Sequence, residues 1–370
     1  MQLNSLAAYR LPEHGPHRRI SIRAETDKQA GFDARHDDLT LIYNTFLSPN
    51  GARILLVSPS LRNLFAPFAS ARFSTGTQIV KPLVRPLDRC VRTVLPIAGP
   101  PDSVTIDGPL GHIRLTPQPN QNSLFRGKRV LLTKSKDNEL AWIKYWVEFN
   151  VRVHGANAVL IYDNASTKYT RAELDHVVTN IPGVERAVVV GWPFPFGPGA
   201  GPQGVWDSDY CQYGVLEDAR WRFLAAANGV LYTDVDELAV ISPAARLFDI
   251  LQRSPTGYLR FNGVWVSTAR DQNAGAAHDR HTDFVHLDLQ APACEAKWAV
   301  VPARCPAGFQ WRVHAIPGMT VSRPRDLVIK LRHFRGISTN WKARRTEPEA
   351  LDPGRHRRDE ALVAAMHRAR

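Results

Sequence analysis

Val230-Leu231-Tyr232-Thr233-Asp234-Val235-Asp236-Glu237 is an apolar run that passes without a break into two aspartates two residues apart. A run with no polar alternation is buried on both faces, as in a parallel strand covered by helices. Two earlier stretches repeat the pattern. Arg129-Val130-Leu131-Leu132-Thr133 leads into Lys134-Ser135-Lys136-Asp137-Asn138-Glu139, and Ala158-Val159-Leu160-Ile161-Tyr162 into Asp163-Asn164-Ala165-Ser166. Helical spacing fills the intervals. Residues 138–149 carry Leu140, Trp142, Ile143, Tyr145, Trp146 and Val147 ahead of a stop at Gly155. Residues 169–180 close at Pro182-Gly183 before a strand over 187–190, and 207–228 end at Gly229. This alternation predicts an α/β fold, a mostly parallel sheet with helices on both faces.

Ligands of such sheets bind beyond the carboxyl ends of the strands, so the polar residues after each run mark the candidate site. Two carboxylates two residues apart repel each other unless a hard divalent cation with oxygen ligands lies between them. Mn²⁺ or Mg²⁺ would fit there and leave positions open for diphosphate oxygens, screening the charge on a leaving diphosphate. An aspartyl-phosphate enzyme of the haloacid-dehalogenase type wants Thr or Val two residues beyond the second Asp; Leu238 stands there instead.

The chain of 370 residues has room for two domains. It is 44% hydrophobic and 22% charged, with mean hydropathy −0.26, enough apolar surface for a sizeable core. Four cysteines cannot staple so long a chain, and without a CxxC pair they do not suggest thiolate zinc. Residues 1–128 read as a β-rich accessory domain. Candidate strands lie at 39–43, 53–57, 103–106 and 112–115, with turns at Ser48-Pro49-Asn50-Gly51 and Gly108-Pro109 and a polar linker over 117–123. The second domain is placed at 129–345 and a charged tail at 346–370. The net charge of +12 and pI of about 9.8 point to an anionic partner. Residues 323–345 hold 8 Lys/Arg against 1 Asp/Glu, while 346–370 hold 5 of each sign. Phe334 and Trp341 are too few aromatics for a nucleic-acid surface, so no nucleic-acid partner is expected. No leader-like pattern opens the chain and no run of 18 apolar residues occurs. A cytoplasmic location is expected, with peripheral contact at the inner membrane face through the basic segment.

Four motifs in order resemble the family-2-like and family-92-like glycosyltransferases. Lys136-Asp137-Asn138-Glu139…Trp142 resembles their K/R-N-E…W opening, and Gly155…Tyr162-Asp163-Asn164-Ala165-Ser166 their YDNxS segment. Gln212-Tyr213…Asp218…Trp221 resembles a helix of the group, and Asp234-Val235-Asp236-Glu237-Leu238 its metal motif. The matches span about 130–245, and Lys297…Pro302…His314…His333-Phe334 resembles the late elements. The resemblance implies a GT-A fold, a nucleotide-sugar donor with UDP-sugar favoured, Mn²⁺ or Mg²⁺, inversion at the anomeric carbon, and a glycan or lipid-linked acceptor. Asp163 would contact the uracil or ribose, near Lys136, Asn138, Glu139 and Asn164. Asp234 and Asp236 would hold the metal, with Glu237 in support or on the acceptor side. The Pro/Gly-rich loop over 192–202 departs from the group, so acceptor specificity does not carry over.

Inversion needs a general base at the acceptor hydroxyl. Candidates are Asp271, Asp279, Asp283, Asp288 and Glu295; Asp283 is favoured for its place beside an apolar pair and His281, with Glu295 second. His314 and His333 are candidates for a third metal or diphosphate contact, His314 set with the metal and His333, with Lys297, at the donor. Trp341-Lys342-Ala343-Arg344-Arg345 would close over the diphosphate as a basic lid. Trp142, Tyr145, Trp146, Trp206, Tyr210 and Trp221 are expected in the core and Trp265 against a sugar ring. The alternative is a nucleotide-sugar or polyanion binder on the same fold without turnover; the intact aspartate pair favours the enzyme.

Overall fold

The computed structural model describes residues 6–201, 208, 210–270, 279–323, 326–340 and 345–370. Contacts divide the chain into two units, each built from separated segments. One comprises Met1–Leu124, Trp192–Ala225 and Gln310–Val313; the other comprises Phe125–Gly191, Ala226–Phe309 and His314–Arg370.

In the first unit β1 (Tyr9–Arg10) pairs with β2 (Thr40–Ile42). Strands β3 (Asn44–Leu47), β4 (Arg53–Pro59), β7 (Leu83–Pro86) and β8 (Cys90–Pro96) make an antiparallel sheet in the order β3-β4-β8-β7. Strands β5 (Arg72–Thr75), β6 (Gln78–Val80), β9 (Val104–Gly108) and β10 (Gly111–Leu115) make another in the order β10-β9-β5-β6. Two short helices, α1 (Phe32–Arg35) and α2 (Phe65–Ala69), complete the N-terminal segment. Ile54, Leu56, Phe73, Val91, Ile106 and Ile113 share one core. Both expected turns are present, but the strand that enters the first is 44–47 rather than 39–43, since Leu47 pairs with Ile54.

This unit takes its long helix from mid-chain. Helix α5 (Tyr210–Asp218) is buried at every position and packs on β4 and β8, so it is not a helix of the expected 129–345 domain. Its acids are held within the unit. Glu217 Oε1 accepts from Arg92 Nη1 at 2.8 Å and Trp221 Nε1 at 2.9 Å, and Asp218 Oδ1 from Asn44 Nδ2 at 2.6 Å. A π-helical turn, Ala219–Phe223, follows where a continuous helix to 228 was expected.

The second unit is mixed α/β around a ten-stranded sheet. Its strands are β11 (Arg129–Ser135), β12 (Ala158–Asp163), β13 (Arg186–Gly191), β14 (Gly229–Tyr232), β15 (Glu237–Ser242), β16 (Tyr258–Val266), β17 (His286–Asp288), β18 (Cys294–Val300), β19 (Val328–Phe334) and β20 (His356–Arg358). The order is β13-β12-β11-β14-β18-β16-β17-β20, with β19 beside β16 and β15 beside β19. The first four run parallel, as their apolar sequences require. Beyond β14 the sheet is mixed, correcting the mostly parallel expectation: β18 is antiparallel to both β14 and β16, and β15 to β19. After Asp236 one short helix, α6 (Leu247–Arg253), precedes β16, and the remaining strands through β19 are linked without a further α-helix among the described residues.

Helices α3 (Leu140–His154) and α4 (Arg171–Thr179) make the crossovers from β11 to β12 and from β12 to β13. Helix α3 ends at Gly155, whose φ of +74° is the left-handed conformation glycine adopts without a Cβ penalty, and its N–H donates to Val151 O at 3.0 Å. Helix α4 starts on a capping box in which Thr170 Oγ1 accepts from Glu173 N at 3.2 Å and Glu173 Oε2 from Thr170 N at 2.7 Å. Leu131, Val159, Ile161 and Leu231 share a core with Ile143 and Trp146 of α3, Leu174 of α4 and Phe248 of α6.

Residues 346–370, expected as a charged tail, pack into the second unit. Strand β20 pairs with β17, and α7 (Glu360–Arg368) buries Leu362, Ala365 and Met366, at i, i+3 and i+4, in the same core. Burial of Leu362 and of Met366 stabilises by about 1.5–3 kcal/mol each, which a charged sequence alone conceals. Among the described residues no helix is long and apolar enough to cross a membrane.

Candidate active site at the strand ends

The register sets Ser135, at the end of β11, beside Asp163, at the end of β12. The loops beyond are laced together. Lys136 Nζ donates to Asn164 O at 3.3 Å and lies 3.5 Å from Ala165 O; Asn138 Nδ2 donates to Ser135 Oγ at 2.9 Å. Asp137 Oδ1 accepts from Thr167 N at 2.6 Å and Lys168 N at 3.2 Å. Asp137 (φ +53°) and Ala165 (φ +56°) are both left-handed without being glycine, a strained state that persists only where the surroundings impose it. Glu139, exposed at the N-cap position of α3, makes no capping hydrogen bond with its side chain and pairs instead with Lys168.

Asp163 is buried. One carboxylate oxygen, Oδ2, lies 3.4 Å from Ser166 N, while Oδ1 is sealed from solvent with no hydrogen-bond partner among the described residues. A buried acceptor without a donor is costly.

At the end of β14 the aspartate pair forms a tight turn. Glu237 Oε2 accepts from Asp234 N at 2.8 Å, and Phe334 N donates to Asp236 O at 2.9 Å. His281 Nε2 lies 2.9 Å from Val235 O, so a residue expected only to accompany Asp283 holds the peptide between the two aspartates. Lys297, reaching in from β18, is buried with Nζ 2.6 Å from Asp234 Oδ2 and 3.5 Å from Glu237 Oε2. Burial disfavours an ionised Asp234, yet Lys297 outweighs it and holds the carboxyl down at about 2. Burial pushes Glu237 up to about 7 against the pull of the same lysine.

His333 is Glu237's partner across the β15–β19 register. Its Nε2 is 3.0 Å from Asp236 Oδ2 and its Nδ1 is 3.7 Å from Glu237 Oε1. Burial opposes a charged imidazole, but Asp236 more than offsets it and raises the group to about 10. Trp265 stacks on His333, with centroids 4.2 Å apart and planes at 23°. The Arg345 guanidinium lies 5.0 Å from the Trp265 centroid, with Nη1 3.4 Å from His333 Nε2. Trp265, expected against a sugar ring, is half-buried and stacks on His333.

The other candidates are placed differently. His314 lies by β18: Nδ1 is 3.0 Å from Ala296 O, and its own carbonyl accepts from Arg260 Nε at 2.8 Å. Burial, then Lys297, lowers its pKa. Asp283 serves its own turn, Oδ2 accepting from Arg280 N at 2.8 Å. Asp279 pairs with Arg270, and Asp288 is clasped by Arg335 and Arg355. Glu295 is exposed. Four residues of β18, 294–297, stand against three of β16, 261–263, and Glu295 lies in this bulge, two residues from Lys297. Asp271, Trp206 and the lid residues Trp341, Lys342, Ala343 and Arg344 lie outside the described residues.

For a divalent cation the chain offers the carboxylate of Asp236 and, once it gives up the proton that Asp236 holds on it, the imidazole of His333, partly open to solvent at 20% and 14% exposure. Glu237 faces the other imidazole nitrogen, the carboxylate–histidine arrangement common behind metal ligands. Among the described residues no three His, Cys, Asp or Glu side chains form a closed metal site. One carboxylate and one imidazole suit Mn²⁺ better than Mg²⁺, with the remaining ligands supplied by water and substrate phosphates.

No family model matches the sequence, and no curated protein matches it either. Among solved structures, the apo form of WbbM, a bifunctional glycosyltransferase, aligns at 15% identity over 42% of this chain and 27% of that one, with TM-score 0.27. The galactosyltransferase LgtC in complex with donor and acceptor sugar analogs aligns at 16% identity over 47% of this chain and 58% of that one, with TM-score 0.25. An active-site mutant of LgtC gives 15% identity, the same coverage and TM-score 0.26. The chain thus spans less than two thirds of each of these proteins, and TM-scores of this size do not establish a shared fold.

Proposed function

We propose that the chain is a GT-A glycosyltransferase that moves a sugar, with inversion, from a nucleotide diphosphate, UDP favoured, to a glycan or lipid-linked acceptor. The observation that carries this is the row of parallel strand ends that sets Asp163, at the end of β12, in line with the Asp234–Asp236 turn beyond β14. A carboxylate in that position accepts a hydrogen bond from the ring N–H of uracil, which cytosine lacks at neutral pH. Lys136 lies on the same rim for the ribose or phosphate, and Arg345 beside His333 for the diphosphate.

Asp236 and His333 would hold Mn²⁺ or Mg²⁺, which offsets the charge on the departing diphosphate. Lys297 keeps Asp234 ionised and fixed for the donor. Glu295 is the proposed base in preference to Asp283, because it is exposed near Lys297 while Asp283 is bonded within its own turn. It accepts the acceptor hydroxyl's proton as that oxygen bonds to the anomeric carbon and the bond to diphosphate breaks.

A thermal-shift series with UDP-, GDP- and CMP-sugars, with and without Mn²⁺, tests the assignment. A UDP-sugar raises the Tm of the wild type, and Asp163→Ala loses most of that rise. No shift with any donor, or an undiminished shift in the variant, overturns it.

A further inference from the structure

We propose that the segment 347–358 is a clamp, in which Glu349 acts with Asp288 as a positioning residue that sets His333 toward Asp236 through Arg335 and Trp265. Asp288, whose side chain is 1% exposed, receives Arg335 Nη1 at 3.0 Å and Arg355 Nη2 at 2.7 Å on Oδ2, and Arg355 Nε at 3.0 Å on Oδ1. Glu349 Oε1 takes the same two arginines, Arg355 Nη2 at 3.1 Å and Arg335 Nη1 at 3.4 Å. Two carboxylates and two guanidinia therefore close into a ring of alternating charge.

The ring joins four parts of the sheet. Asp288 belongs to β17, Arg335 follows β19, Arg355 precedes β20, and Glu349 Oε2 is tied to Ser267 Oγ at 2.6 Å, just beyond β16. Ser267 Oγ is also 3.2 Å from His356 Nε2, and Thr268 Oγ1 donates to Glu347 O at 2.6 Å, so the segment is fastened along its length.

Arg335 is where the ring meets the candidate site. Its guanidinium lies 5.4 Å from the Trp265 centroid, and Trp265 stacks on His333, whose Nε2 meets Asp236. An exposed ion pair fixes little, but an arginine held on two carboxylates loses its freedom to rotate and becomes a rigid stop. With Trp265 so held, the imidazole cannot swing toward the indole and stays aimed at Asp236. The consequence for metal affinity rests on the function proposed above; the clamp itself does not.

The test compares Glu349→Ala and Glu349→Gln with Arg152→Ala, which loosens the C-terminal end by removing the donor to Ala369 O and Arg370 O, outside the ring. The first readout needs no ligand: the Trp265 indole signal in a ¹⁵N–¹H spectrum, assigned with Trp265→Phe. The second is Mn²⁺ affinity. In Glu349→Ala the indole signal shifts or broadens and Mn²⁺ affinity falls by roughly tenfold at most, the lower end of what loss of a group bonded directly to a metal ligand costs. Glu349→Gln, which keeps an acceptor, recovers part of both, and Arg152→Ala changes neither. An unmoved indole signal in a folded Glu349 variant, or an equal change in Arg152→Ala, overturns the clamp. If the wild type binds no Mn²⁺, the metal assignment falls while the indole signal still decides the clamp.

Discussion

Lys297 shows how one residue can serve both the fold and the chemistry. Its ammonium is buried between Asp234 and Glu237, and a buried pair stripped of one partner is strongly destabilised. Asp234 remains 35% exposed and water screens it, so the cost of removing the lysine falls mainly on Glu237. Lys297→Met should lower stability by about 3 kcal/mol, seen as a lower denaturant midpoint, and Lys297→Met with Glu237→Gln should recover part of it. An unchanged midpoint in the single variant would show that the lysine is not needed to balance the turn. The aspartate pair, Asp163 and Lys136 stood out in the sequence because each follows an apolar run. His281 and Trp265 carried less signal: what matters is their contact with Val235 O and His333, made across long separations that no local pattern encodes.

At the scale of elements, legibility followed burial. Strands β11 to β14 and helices α3 and α4 were readable because strands covered on both faces are apolar throughout and their helices keep a 3.6-residue period. Strands β17, β19 and β20 were not. Their sequences, His286-Leu287-Asp288, Val328-Ile329-Lys330-Leu331-Arg332-His333-Phe334 and His356-Arg357-Arg358, are rich in charge, and their partners are distant in sequence. Ion pairs reinforce the ladders of these strands, which gives them a pH dependence. Asp288 titrates at about 2 in the fold, held down chiefly by its hydrogen bond from Arg355, against about 3.9 in an unfolded chain. A depressed carboxyl stabilises fully above its unfolded value, and that contribution is lost as pH falls through the folded one. Stability should therefore decline between about pH 4 and pH 2, and Asp288→Asn should flatten that part of a stability–pH curve. A curve of unchanged slope would contradict the pairing.

At the scale of the whole molecule, the linear division into accessory domain, catalytic domain and tail gives way to two units that exchange segments along the chain. The first contains α5, from a part of the sequence whose motif resemblance pointed to the second, because Glu217 and Asp218 find Arg92 and Asn44 there. A fragment ending at residue 128 would leave the α5-covered face of β4 and β8 bare. It should bind a hydrophobic dye and unfold without cooperativity; a sharp thermal transition would show that it folds alone. In the proposed function nucleotide, metal and base would lie along one row of strand ends, and turnover tests this most directly. With a UDP-sugar and Mn²⁺ present, the protein should release UDP, and Asp236→Ala, folded to the same Tm, should lose at least 100-fold of that rate, about 2.7 kcal/mol of transition-state stabilisation. Equal release by wild type and variant would contradict the account.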